Sequence, residues 1–304
     1  IGKAKNINLV VNSAASAKGV QATTEESKVQ LAATNNLLID VTGADGAIAV
    51  YNISASGKVE LAGNDIKIQA KGERSYVYGV NAAATQSSVS ISGNTVEIST
   101  TGGKNGNKGE IGSAALYADK SSNIKVDANK VVVNTANAKE HAFAVYSNWG
   151  SDIKLGKDAN SEVQISSSSE GTAMGVAVAS VGSGTPADAK VTIHGAKINV
   201  SAEGKKARGL YAQDNNKISV GDAGSDIQIS AKGEDAVGVL ALVHGSVDLN
   251  GKNAVINAEG SQASEGIHVQ NNDKDNRATV NVNTENTTIN AKSALVAMSH
   301  SVLN

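Results

Sequence analysis

The chain has 304 residues with 27 basic and 29 acidic side chains, a net charge of −2 that excludes the concentrated basic surface of a nucleic-acid binder. It contains no cysteine, so disulfide staples and thiolate metal sites are ruled out, and no run approaches the ~18 apolar residues of a membrane-spanning helix. Aromatics are 3% against 40% hydrophobic residues overall, so any core is built from Ala, Val, Ile and Leu, the small side chains that suit a narrow interior of stacked strands.

From the first residues, "IGKAKNINLVV" opens in mid-pattern, with no signal peptide ahead of it, and reads as a piece of a longer protein. An apolar residue preceded by Gly or Ala then recurs along the whole chain: Val20, Val50, Val80, Leu116, Val145, Val176, Leu210, Val239, Ile267 and Leu295. Successive steps fall between 28 and 36 residues, a period of about thirty. Each period holds three alternating stretches. The first, A, carries the anchor, as in Gly79-Val80-Asn81-Ala82. The second, B, is apolar–x–apolar, as in Val59-Glu60-Leu61. The third, C, is longer, as in Ile66-Lys67-Ile68-Gln69-Ala70. Alternation at period 2 marks strands with one buried face. Tight turns with Gly or Asn are expected between B and C, at "AGND" 62, "SGNT" 92 and "NGKN" 250.

The pattern predicts an all-β chain: a right-handed parallel β-helix, or solenoid, of about ten coils of about 30 residues with three strands each. A propeller blade requires four antiparallel strands in ~40–50 residues, more than one period supplies. The whole span 1–304 reads as a single β-helix domain with no capping helix at either end.

Within strand A the residue after each anchor should point outward. That column reads Gln21, Tyr51, Asn81, Tyr117, Tyr146, Ala177, Tyr211, Leu240, His268 and Val296, and so collects four of the six tyrosines. Tyr51, Tyr117, Tyr146, Tyr211 and His268, with Trp149 on the adjoining corner, are the candidate ligand- or partner-binding residues. Two readings stay open: a stacking surface for sugars or a partner protein, or a ring ladder that stabilises the coil exterior. On the first, replacing Tyr117, Tyr146 and Tyr211 by Ala should weaken binding and leave the melt nearly unchanged. Long connections at 101–113, 179–189 and 270–278 flank strand A and mark places where recognition commonly lives.

Signals for catalysis are sparse, and no catalytic residue, metal or cofactor is expected. Arg74, Arg208 and Arg277 fall in different periods, and Glu60, Glu97, Asp127 and Asp152 alternate with Lys and Ser as on a solvated face. Asp273 and Asp275 could face a calcium ion but lack an EF-hand spacing. His141, His194, His244, His268 and His300 share no ligand spacing. "TGGKNGNKGE" precedes no helix, which removes a phosphate cradle, and no Thr-x-Thr column suggests ice binding.

With "G-V-x-A … V-x-L … G-N-x-I-x-I-x-A" turns, a Ser/Thr/Asn/Gly/Ala-rich composition and no cysteine, the chain resembles the passenger region of bacterial autotransporters, the pertactin-like or AIDA-like adhesins. Filamentous-haemagglutinin-type secreted adhesins are similar too. The resemblance implies an extracellular, cell-surface stalk or adhesin of a Gram-negative bacterium, linked to an outer-membrane barrel. It also implies a host or bacterial surface protein or glycan as partner, with no nucleic acid, no membrane contact by this segment and no enzyme activity. The alternative is a polysaccharide lyase or glycoside hydrolase of the parallel β-helix type, which needs carboxylates and a base converging in a groove.

Overall fold

A computed structural model describes residues 4–104, 111–179, 188–271, 277–299 and 301–304. Among them the chain forms 23 strands and no helix, and every strand pairing is parallel. The strands fall into three faces that follow the A, B and C stretches, wound as a solenoid of about nine turns. All ten anchors lie in one file: Val20 pairs with Val50, Val50 with Val80, and so on through Val239, Ile267 and Leu295.

The core follows from the alternation. In the C strand Lys28–Gly43, Leu37, Ile39 and Val41 are buried while Leu38, Asp40 and Thr42 are only half-covered. Ile39 stacks on Ile68, Ile68 on Ile98, and the file continues through Val133, Ile165, Val200 and Ile229 to Ile256. On face B, Val59, Val89, Ile124, Ile153, Val191, Ile218 and Val247 do the same. Each buried branched side chain contributes roughly 1.5–3 kcal/mol. A single coil cannot bury its own residues on both sides, so the files make each rung depend on its neighbours.

Strand A departs from strict alternation in a regular way. The register passes from Lys18↔Ile48 to Val20↔Val50, and Gly19 and Ala49 drop out of the pairing. The same skip occurs in every later A strand, up to Glu265↔Ser293 followed by Ile267↔Leu295. Both strands skip together, so the register is kept while the inside–outside alternation resets by one residue in every coil. This explains the Gly-or-Ala rule before the anchor. A Cβ on Gly238 would lie 2.4 Å from Ile256 Cγ2 and 2.7 Å from the Gly266 carbonyl oxygen. Only the smallest side chains fit at this position against face C.

The corners divide the polar work. At the A–B corner the chain enters the left-handed region at Glu26, Ser56, Gln86, Ser121, Trp149 and Asn215. Buried hydroxyls close these turns: Ser122 Oγ donates to the Ala82 carbonyl (2.7 Å) and accepts from the Asp119 amide (3.0 Å). Asn52, fully buried, donates to the Gly57 and Ser88 carbonyls (3.0 and 2.9 Å) and accepts from Ser54 N (3.2 Å), so its amide is satisfied inside the core. Between B and C, the expected turn at 62 separates two strands, while those expected at 92 and 250 do not interrupt the strand. The strands Lys28–Gly43, Ser88–Gly102, Asn123–Ala138 and Ser246–Gln270 bend through the corner without interruption. Glycine serves there because a Cβ on Gly251 would sit 2.5 Å from the Ser225 carbonyl oxygen.

Candidate functional site: the outer aromatic face

The outward column exists as expected: Gln21 pairs with Tyr51, Tyr51 with Asn81, Asn81 with Tyr117, Tyr117 with Tyr146, and the file continues through Ala177, Tyr211, Leu240 and His268 to Val296. The reset in alternation places a second outward column beside it, Lys18, Ile48, Tyr78, Ala114, Phe143, Met174 and Arg208. Strict alternation back from the anchor would point Tyr78 and Phe143 inward; the skipped residue reverses that parity, which is why they escape a reading by period 2. The buried small residues three before each anchor, such as Ala47, Val77 and Ala142, are the signal that could have found them.

Together the two columns and Tyr76 gather all six tyrosines and the one phenylalanine of the chain onto one face. Tyr76 stacks on Tyr78 with ring centroids 5.6 Å apart, Tyr78 meets Tyr117 at 5.5 Å, Tyr117 stacks on Tyr146 at 5.6 Å, and Phe143 tilts against Tyr146 at 4.8 Å. Ile111 packs across both halves of the cluster, and the Tyr78 hydroxyl donates to its carbonyl (2.8 Å). Lys18 places its ammonium 4.7 Å from the centre of the Tyr51 ring, a cation–π contact.

The expectation that these rings can be removed without structural consequence needs correcting. The column points away from the core, yet Tyr146 is only 3% exposed and Tyr117 is half-buried because their rings lie on one another, and Tyr211 is half-buried against the cluster of Tyr146, Ala177 and Ala179. Their ionisation reflects this. Burial, then the Asp119 charge, raises both Tyr117 and Tyr146 well above the ordinary phenol range. Burial, then Asp214, pushes Tyr211 up to about 12, and burial raises Tyr51 as well. The Tyr211 hydroxyl donates to Gln213 Oε1.

The other candidates separate. Trp149 stands on the A–B corner beside the cluster, 38% exposed, with φ of 46°. It lines a cleft of about 220 Å³ with Ile111, Tyr117, Asp119, Lys120, Tyr146 and Asn148. His268 lies two rungs beyond Tyr211, with Leu240 between, and holds Glu265 at 2.5 Å through Nδ1. It is not part of the ring cluster. Asp273, Asp275 and His300 lie outside the described residues, as do most of the long connections at 105–110, 180–187 and 272–276. Among the described residues no group of three or more metal-ligating side chains comes together.

The carboxylates singled out in the sequence meet lysines: Glu60 with Lys28 (3.1 Å), Glu97 with Lys67 (3.7 Å), Asp127 with Lys125 (2.7 Å) and Asp152 with Lys154 (3.2 Å). A larger open groove of about 860 Å³ runs along the C–A corner of the last coils over Ala258 and Ala291. Four of its six rim charges meet neighbouring groups: Glu203 with Lys232 (3.4 Å), Glu234 with Gln262 (3.3 Å) and Lys292 with the Ser261 carbonyl (3.1 Å). Comparison with family models, curated proteins and solved structures returned no match.

Proposed function

We propose that this β-solenoid is a surface-displayed stalk of a Gram-negative bacterium, an autotransporter-like passenger segment that attaches through its A face. In this reading the rod is extracellular, carries no catalytic centre and uses no cofactor. Its partner is a protein or glycan on a host or bacterial surface, and an outer-membrane barrel anchors the full-length protein. One observation carries the reading: a chain that is 3% aromatic concentrates its tyrosines and its phenylalanine on one outer face, with its one tryptophan on the adjoining corner. Core volume does not require them there, since the interior is filled by aliphatic files. Amphipathic rings on a rigid scaffold are the side chains that dominate recognition surfaces.

The polysaccharide-cleaving alternative would sit in the C–A groove, where Glu203, Glu234 and Glu259 share the rim with Lys205, Lys232 and Lys292. Glu203 and Lys232 are each about two-thirds exposed and paired with one another, an arrangement that leaves neither side chain aimed at a common point.

Beads coated with the rod test the adhesive reading. Attachment to epithelial and bacterial cells is expected to fall several-fold for Tyr51→Glu/Tyr211→Glu, which charges two half-buried positions of the face. Lys154→Glu, on face B, serves as control. Equal attachment by all three proteins would refute the reading. Release of new sugar ends from polysaccharides would favour the alternative.

A further inference from the structure

The cleft at the A–B corner between the fourth and fifth coils is built from unlike parts. One wall is the Tyr117–Tyr146 pair, which closes off the interior. The rim carries Asp119, Lys120 and Asn148, and Trp149 stands at the mouth.

Trp149 is the largest side chain among the left-handed corner residues of the repeat. Left-handed corner positions in other coils hold Glu26, Ser56, Gln86, Lys120, Ser121, Asp214, Asn215, Val243 and His244, most of them polar and all of them smaller than Trp. A bulky ring in this conformation costs on the order of 1–3 kcal/mol. It gains no full burial in return, since over a third of its surface remains open. An aromatic plane is thus held at the cleft rather than in the core.

The polar rim is oriented in advance. Asp119 Oδ1 accepts from the Lys120 amide (2.9 Å) and from Asn148 Nδ2 (3.2 Å), and the carboxylate also takes a hydrogen bond from Tyr117. A carboxylate has about four acceptor sites, so it retains capacity toward the cleft. The carboxylate is repulsive to a phosphate or sulfate. The ladders of the A strands are paired on both sides, so no backbone edge invites an added peptide strand. The volume is below the ~300–1,000 Å³ of clefts that take drug-sized ligands.

A flat apolar plane beside fixed acceptors, in a space for one small ring, matches a pyranose: C–H groups on one face, hydroxyl donors around the edge. We propose that this cleft binds a single hexopyranose unit of a glycan, with Trp149 stacking on the ring and Asp119 accepting from vicinal hydroxyls. The inference rests on the A face being a recognition surface and names the ligand class it takes.

Trp149 is the chain's one tryptophan, so intrinsic fluorescence reports on this site alone. The whole rod is titrated with the methyl pyranosides of glucose, galactose, mannose and N-acetylglucosamine, followed by fluorescence and by saturation-transfer NMR. At least one sugar is expected to give a saturable change, and Asp119→Asn to weaken it at least about tenfold, the effect of losing a charged acceptor. Trp149→Gly suits the left-handed backbone, so its melt should equal or exceed the parent's while the NMR signal disappears. No saturable response to any of these sugars, or a response that persists in both variants, overturns the assignment. Loss of cell attachment in Tyr51→Glu/Tyr211→Glu without sugar binding by the parent also overturns it and leaves the adhesive reading intact. Sugar binding with attachment unchanged in every face variant does the reverse.

Discussion

Replacing Tyr146 by Ala tests whether the aromatic face is part of the folded structure or a decoration on it. The ring is 3% exposed, stacked on Tyr117 with 14° between planes and tilted 37° against Phe143. An aromatic side chain buries ~150–250 Å², which at ~25 cal/mol per Å² is worth ~4–6 kcal/mol. The extended-chain reference overstates such areas by ~10–40%. Neighbouring rings on an outer face can also close part of the void. The expected loss is therefore about 3–4 kcal/mol, within the ~3–5 kcal/mol range of aromatic truncations. Tyr146→Phe keeps the stacking and should lose under ~1 kcal/mol. Urea denaturation followed by far-UV circular dichroism measures both, with an unchanged m-value showing that the same surface unfolds. A midpoint for Tyr146→Ala within about 0.5 kcal/mol of the parent would refute the argument, since a ring ladder that dissolves without consequence is not packed.

Two further outcomes follow from the packing and the ionisation. Gly238→Ala pushes a methyl to 2.4 Å from Ile256 Cγ2 and should lower stability by ~1–3 kcal/mol; an unchanged urea midpoint would show that the column before the anchors adapts freely. Raised phenol pKa values make the fold sensitive to alkali. Tyr117, Tyr146 and Tyr211 hold their protons in the folded chain above the ordinary value of 10.0, so the unfolded chain releases them first. Their stabilising contribution is complete below pH 10.0 and is lost as the pH rises from there through about 12, where Tyr211 ionises, and beyond. A melting temperature that stays level between pH 9.5 and 11.5, with Tyr146→Ala as comparison, would contradict this.

Much of the architecture was legible because the repeat is a statement about files. Val50, Val80 and Leu116 sit over one another for the reason they recur: each must meet its counterpart in the next coil. The outward column was legible by the same reasoning, and Tyr51, Tyr117, Tyr146 and Tyr211 fell where alternation puts them. The second column was not. Period 2 carries no mark for the reset in alternation, so it gives no place on the outer face to Tyr78 and Phe143. Nor does alternation distinguish pointing outward from being exposed. Tyr146 is covered by rings from its own and the neighbouring coil, a fact that depends on ring size and spacing between rungs. The corner cleft draws Asp119 and Lys120 from one coil and Asn148 and Trp149 from the next, and its assembly depends on two short turns being superimposed.

Because every pairing is parallel and joins one coil to the next, the backbone hydrogen bonds lie along the long axis of the molecule. Tension applied between its ends would load these bonds in series, rung after rung, rather than shearing many at once. Such a molecule yields in small increments at modest force and can rewind when the pull relaxes. It behaves as a spring that absorbs a tug before anything fixed to its flank is torn away.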